Sequence, residues 1–287
     1  MARTKGRTAA PTRILARSLG ENDPAFIAAL ARGLSILSLF TPDRPKLSFT
    51  DICNQTKHAR SSVNRVLGTL LGLGYLTFDE ETRRYMPGPR TMSLGLAALS
   101  AMDVRELVRP HLMNLFGMLH ETISYGVRDD LEVVVAERIA TRAVIAVDLA
   151  VGDRLPLVST SMGRCLVSFL PTREREALIA RLSKAQGAAQ IPGLRAATAF
   201  AHREGFTMSN EEFAPGLVSV AVPVFDQGCR IKAAANVALP AFRSSEDMLR
   251  ERILPPLFDV ARRISMSYGA PEAWLASGWR TGEIVSL

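Results

Sequence analysis

The 287-residue chain is 47% hydrophobic, carries a formal charge of +7 and has only three cysteines, Cys53, Cys165 and Cys229, which is material for two modest cores and not for a disulfide framework. No Cys/His spacing suits zinc and no apolar run approaches the roughly 20 residues that span a bilayer, so the expectation is a cytoplasmic protein with no membrane segment and no cofactor. Residues 1–104 hold 14 Lys/Arg against 8 Asp/Glu, while residues 105–287 hold 21 against 20; an excess confined to the first third points to a polyanion there, nucleic acid being the commonest.

The first 20 residues contain five basic side chains and no acid, but they lack the apolar centre of a signal peptide. Residues 1–22 are predicted to form a disordered basic arm. A helix is expected next, with Asp23 as N-cap, Pro24 at its first position and Phe26, Ile27, Leu30, Leu34 and Leu37 at helical spacing, until Thr41-Pro42 and Pro45 stop it. A short second helix follows at "LSFTDICNQ", where Ser48 and Asp51 are spaced as a capping pair and Leu47, Phe49, Ile52 and Cys53 supply the buried side.

In "TKHARSSVNRVLGTLLGLGYL", residues 56–76, Val63, Leu67 and Leu70 fall on one helical stripe, with Ser61, Ser62, Arg65, Gly68 and Thr69 opposite. Two short helices joined by a turn at Lys57-His58-Ala59 make a helix-turn-helix, whose second helix enters the DNA major groove. Arg60, Ser61, Ser62, Asn64, Arg65 and Thr69 are the candidate DNA contacts, and Gly74 ends the helix. "YLTFDEETRRYMPGP" reads as two strands, Tyr75 to Phe78 and Arg83 to Met86, forming a wing with Arg83 and Arg84 beside the DNA backbone and the acids Asp79, Glu80 and Glu81 at its tip. A metal role for His58 is set aside because no second ligand stands near it in sequence. Residues 23–89 are therefore read as a winged helix-turn-helix domain.

Residues 90–104 are read as a linker helix whose apolar stripe, including Met92, Leu94, Leu96 and Leu99, would pack on a second copy of the chain. Beyond it the period changes. "ISYGV", "LEVVVAERI" and "AVIAVDL", and later "GLVSVAVPVFD" and "CRIKAAANVAL", read as strands, with helices at "MGRCLVSFL", "TREREALIARLSKA", "LRAATAFAHREG" and "SEDMLRERILPPLFDVARRISMSYG". Hairpin strands with helices set apart predict an α+β domain with a largely antiparallel sheet over residues 105–270; residues 271–287 form a tail with no clear pattern. In "VGDRLPLVSTSMGRCLVSFL" the hydroxyl-rich Ser159-Thr160-Ser161 leads into a helix at Met162-Gly163, where a Ser or Thr caps the helix or a small carboxylate docks on its N–H groups. Cys165 has no His or acid pattern around it and reads as a buried thiol.

Together, "ARGLSIL", "SSVNRVLGTLLGLGYL", "VGDRLPLVSTSMGRCLVSFL" and "REGFTMSNEEFAPGLVSVAVPVFD" resemble the IclR family of bacterial transcriptional regulators over roughly residues 24–268. "FIAALARGLSIL" and "TSMGRCLVSFLP" look most like its branch controlling aromatic-acid breakdown, including regulators of protocatechuate and 4-hydroxybenzoate pathways. The resemblance implies an N-terminal winged helix-turn-helix, a linker helix and a GAF-like effector domain, working as a homodimer or tetramer on double-stranded operator DNA under control of a small organic acid, an aromatic carboxylate being favoured. It places an effector pocket on Ser159, Thr160, Ser161, Met162, Gly163, Ser209, Ser219, Asn236 and Ala238. The family often has an acid where Ser209 stands and a Ser where Ala238 stands, so an apolar ring would suit this pocket. Two rival readings stand against this: an enzyme with a basic tether, for which residues 105–287 offer no metal spacing, triad order or Gly-rich phosphate loop, and a ligand-independent architectural DNA binder, which leaves the second domain without a role.

Overall fold

The computed structural model describes residues 26–41, 44–101, 104–141 and 149–277. The basic arm at residues 1–22, the cap at Asp23-Pro24, the strand expected at residues 143–149, save Leu149, and the end of the tail, residues 278–287, lie outside the described residues. The chain divides into two compact units, Met1–Ser93 and Leu94–Leu287.

The first unit has α1 (Ala28–Leu37), β1 (Leu47–Ser48), α2 (Phe49–Thr56), α3 (Arg60–Gly72), β2 (Leu76–Asp79) and β3 (Arg84–Pro87). Its core is Ile36, Leu47, Ile52, Cys53, Val63, Leu67, Leu70 and Leu76. Local chemistry sets each boundary. Ser48 and Asp51 form a reciprocal capping box, the Asp51 N–H donating to Ser48 Oγ at 3.2 Å and the Ser48 N–H to Asp51 Oδ2 at 3.0 Å, which satisfies two otherwise open donors at the start of α2. Lys57, in the left-handed region at φ 55°, ends α2 and turns the chain toward α3. At the other end of α3, Gly74 takes φ +75°, with the Gly74 N–H donating to Leu71 O and the Tyr75 N–H to Leu70 O, both at 2.9 Å, a Schellman closure. The wing has a third strand that the sequence pattern did not reveal: β1 pairs antiparallel with β3, giving the order β1-β3-β2. The apolar stripe expected to bury α1 faces solvent instead. Ile27, Leu30 and Leu34 are more than half exposed, and Ile36 is the buried residue of the helix.

The helix α4 (Pro89–Ala101) covers most of the predicted linker, and Met92, Leu94 and Leu96 on it are exposed. Residues Val104–Val108 form a π-helical turn into α5 (Arg109–Leu119), with Pro110 in the first turn of α5, where its missing N–H costs nothing.

The second unit is an α+β fold. After α5 come β4 (Thr122–Asp129), β5 (Glu132–Ile139), β6 (Arg154–Pro156), α6 (Ser161–Ser168), α7 (Thr172–Gln186), α8 (Ile191–Glu204), β7 (Thr207–Asn210), β8 (Leu217–Phe225), β9 (Ile231–Pro240), α9 (Leu254–Ser267) and α10 (Glu272–Ser277). The six strands form one antiparallel sheet in the order β6-β5-β4-β9-β8-β7. β8 and β9 are buried residue after residue because helices cover the sheet on both faces: α6 packs on β7, β8 and β9, and α9 on β8 and β9. β6 and β7 are three and four residues long, too short to leave an alternating pattern. α10 lies in the segment read as patternless tail, and its Leu275 is buried in the main core.

Candidate functional site

On α3, Val63, Leu67 and Leu70 are sealed in the core, whereas Arg60, Ser61, Asn64, Arg65 and Thr69 are exposed. The helix thus carries a polar face with two guanidinium groups on a well-anchored apolar base. Not every group on that face is idle. Ser62 is half-buried and its Oγ accepts from Arg32 Nη1 of α1 at 2.9 Å, while the Thr69 hydroxyl donates back to Arg65 O at 3.0 Å. The Arg60 guanidinium lies 5.0 Å from the centroid of the Phe49 ring, a cation–π contact that fixes its stem near the start of α2. In the wing, Arg83 sits in the turn at φ 54°, over the Phe78 ring and 3.3 Å from Glu80; Arg84 is exposed and donates to Lys46 O at 3.3 Å.

In the second unit a cavity opens against the sheet. Strand register builds its floor. Arg138 on β5, Ser124 on β4 and Asn236 on β9 stand directly opposite one another, and two residues along the strands Thr122 on β4, Ala238 on β9 and Ser219 on β8 do the same. All six line the cavity, with Thr160, Ser161 and Met162 at the start of α6 and Leu149, Leu155, Phe213, Leu217, Leu239 and Pro240 supplying apolar wall.

The polar groups nearest α6 are knitted together. Ser161 Oγ lies 2.8 Å from Ser219 Oγ and accepts from Asn236 Nδ2 at 2.8 Å, and the amide also donates to Val220 O at 3.3 Å. Thr160 is the N-cap, its Oγ1 accepting the Gly163 N–H at 3.1 Å and donating to Pro156 O at 2.7 Å. Of the nine predicted pocket residues, Thr160, Ser161, Met162, Ser219, Asn236 and Ala238 come together on the cavity. The other three, Ser159, Gly163 and Ser209, do not line it. Ser209 stands opposite Ser219 in the sheet but turns its hydroxyl to Ser159 O at 2.8 Å, and Gly163 packs so tightly that a Cβ there would sit 2.4 Å from Leu157 Cα.

Arg164 holds this frame. It is buried, donating through Nε to Val158 O at 2.8 Å, through Nη1 to Met208 O at 2.9 Å and to Glu212 Oε1 at 2.7 Å, and through Nη2 to Glu212 Oε2. Cys165 beside it is fully buried, and burial pushes its thiol well above the ordinary range, the opposite of what a nucleophile needs.

Sequence reading missed Glu121, Thr122, Ser124, Arg138 and Thr141. Glu121 is buried at the cavity edge, paired with Arg243 at 2.7 Å. Burial holds its carboxyl above the ordinary value and the Arg243 charge offsets only part of that. The available signal was Arg138, the one cation in the strand pattern "LEVVVAERI".

Comparison with known proteins agrees with this geometry. Residues 29–80 match the IclR helix-turn-helix domain and residues 96–266 match the bacterial transcriptional regulator IclR C-terminal domain. A Pca regulon regulatory protein of Pseudomonas putida is 34% identical over 245 residues, covering 84% of each chain. A Pca operon regulatory protein of Acinetobacter baylyi is 29% identical over 83% of this chain and 88% of its own. The crystal structure of an IclR family transcriptional regulator from Brucella abortus superposes with a TM-score of 0.73 at 27% identity, over 88% of this chain and 96% of that one. These relatives are regulators and not enzymes. A helix-turn-helix with an exposed Ser/Arg face, followed by an α+β unit with a polar-floored cavity, is thus matched along nearly its whole described length, and the chain belongs to the IclR family of bacterial transcriptional regulators.

Proposed function

We propose that this regulator works in the cytoplasm as a homodimer or tetramer that holds operator DNA with α3 and the wing, and that it changes transcription of catabolic genes when a small aromatic carboxylate enters the cavity of the second unit. The observation that carries the DNA half is the division of α3 into a sealed Val63/Leu67/Leu70 base and an exposed Arg60/Ser61/Asn64/Arg65/Thr69 face. Arg65 is the best placed of these to pair with guanine or phosphate, with Arg83 and Arg84 of the wing, and Ser62 beside Arg65, as supporting contacts. Two copies of α3 would lie in successive major grooves. The exposed Ile27, Leu30 and Leu34, and separately Met92, Leu94 and Leu96 of α4, support a self-association that covers them.

The aromatic-acid half is supported by the two Pca regulators among its relatives and by a cavity whose floor is polar and whose wall is Leu149, Leu155, Phe213, Leu217 and Leu239. Ser161, Met162, Ser219, Asn236 and Ala238 would touch the ligand, with Thr160 at its rim and Ser159, Gly163 and Ser209 shaping the frame. A coupling of about 1–3 kcal/mol between ligand and DNA suffices to switch occupancy.

Binding of wild type and Arg65→Ala to operator DNA at several salt concentrations tests the first half. A loss of about 1–3 kcal/mol marks a base contact, and a salt slope reduced by about 1 marks phosphate; no change in either removes α3 as the reader. A thermal-shift panel of aromatic and short oxo-acids tests the second, and a flat response to all of them would overturn it.

A further inference from the structure

The pairing of β4 with β9 sets three successive rows of side chains on the cavity side of the sheet: Thr122 with Ala238, Ser124 with Asn236 and Gly126 with Ala234. The first two rows line the cavity and the third does not. A row made of a glycine and an alanine leaves a notch in the sheet, and Met162, from the first turn of α6, fills it. A Cβ on Gly126 would lie 2.9 Å from Met162 Sδ and 2.6 Å from Val133 Cγ1, both well inside ordinary contact. Gly126 and Val133 are buried, and Met162, itself 4% exposed, covers the notch and forms the cavity wall at this end.

The two neighbours of the notch differ in their freedom. Val133 is β-branched, stiff at χ1 and enclosed by the core. Met162 ends in an unbranched thioether that adapts to the space offered, and it borders the cavity. From this, and resting on the reading of the cavity as an effector site, we propose that Gly126 is a positioning residue for ligand size. It does not line the cavity; it gives the Met162 thioether a berth in the sheet, and the depth of that berth sets the longest ligand the cavity accepts. A side chain at position 126 displaces the thioether toward the cavity, which becomes shorter. Removal of the thioether opens the notch over Gly126 and Ala234, and the cavity becomes longer.

The test is calorimetric titration of the full chain with 4-hydroxybenzoate, 4-hydroxyphenylacetate and 3-(4-hydroxyphenyl)propionate, probes that differ by one methylene at each step. A methylene that fits or fails to fit an apolar wall changes affinity by about 10-fold or more. Gly126→Ala should lower the affinity ratio of the longest acid to the shortest by about 10-fold, and Met162→Ala should raise it by about as much. Introduced into the Met162→Ala protein, Gly126→Ala should move the ratio by less than about 3-fold, since the side chain it acts through is gone. Thermal unfolding reads the same contact without ligand: Gly126→Ala should lower the midpoint less in the Met162→Ala background than in wild type. A single variant that fails to fold while the double variant folds would support the contact in the same way. Equal shifts for all three acids, or a Gly126→Ala effect of the same size in both backgrounds, would overturn the role of Gly126 and leave the effector reading standing. A wild type that binds none of the three would overturn the effector reading and this inference together.

Discussion

The Arg164 guanidinium and the Glu212 carboxylate meet fork to fork, each nitrogen on its own oxygen, while the same guanidinium also holds the carbonyls of Val158 and Met208. One side chain at the start of α6 thereby ties the strand end before that helix to the loop after β7, the two segments that frame the cavity. Arg164→Met should destabilise the protein by about 2–4 kcal/mol, since it leaves the Val158 and Met208 carbonyls and the Glu212 carboxylate without their shared donor. Glu212→Gln should cost less, about 1–3 kcal/mol, the loss of a charged hydrogen bond at a carboxylate whose side chain is 44% exposed. Urea unfolding of both single variants and the double variant checks this, and a double variant worse than the sum would contradict shared loss of one contact.

Gly163→Ala puts a methyl group 2.4 Å from Leu157 Cα, against backbone that cannot rotate away. The helix must shift outward, at a cost of about 1–3 kcal/mol, carrying Ser161 and Met162 with it. Both the unfolding midpoint and effector affinity should fall; an unaltered midpoint would mean that the helix and the Leu157 backbone are not held in this contact.

Leu67 anchors the apolar base of α3 and is 1% exposed. Leu67→Ala should cost about 2–5 kcal/mol, and operator binding should decline with temperature well before that of wild type. Equal thermal profiles for DNA binding would mean that the helix is held by something other than this core.

Asp79 links the wing turn to pH. Its Oδ1 accepts the N–H groups of Glu81 and Thr82, both at 3.1 Å, and Oδ2 lies 3.3 Å from Lys46 Nζ. The Thr82 bonds first, and Lys46 after them, hold the carboxyl down at about 2, from 3.8. A lowered folded-state value means that the stabilisation is complete above the ordinary carboxylate value and is lost as pH falls through about 2. Asp79→Asn should therefore speed exchange of the Glu81 and Thr82 amide protons at neutral pH and make little difference at the acid end of that window. Equal exchange in both proteins at neutral pH would remove Asp79 as the fastening of the turn.

What could be read from the residues beforehand was whatever depends on near neighbours. The Ser48/Asp51 cap, the Val63/Leu67/Leu70 stripe and the stop at Gly74 are each encoded within a few residues, and each lies where the pattern puts it. The face that α1 buries was not legible, because Ile36 and Leu37 offer an apolar side as good as Leu30 and Leu34 and only the tertiary fold chooses between them. In the cavity, Ser161 was recognisable from its place before a helix. Ser124 and Arg138 were not, because their register in the β4–β5 hairpin runs through an irregularity at Tyr125/Gly126 and their alignment with Asn236 requires β9, far along the chain, which no local signal carries.

That cross-strand arrangement also governs how such a sensor can be retuned. A residue inserted within β4 or β9 would turn every inward side chain downstream to the other surface, so lengthening these segments scrambles recognition wholesale. Exchange of one floor residue, Ala238 for instance, alters volume or polarity at a single spot while its neighbours in the ladder stay put. Chemical preference in this scaffold is thus open to gradual change by point replacement and closed to change by insertion.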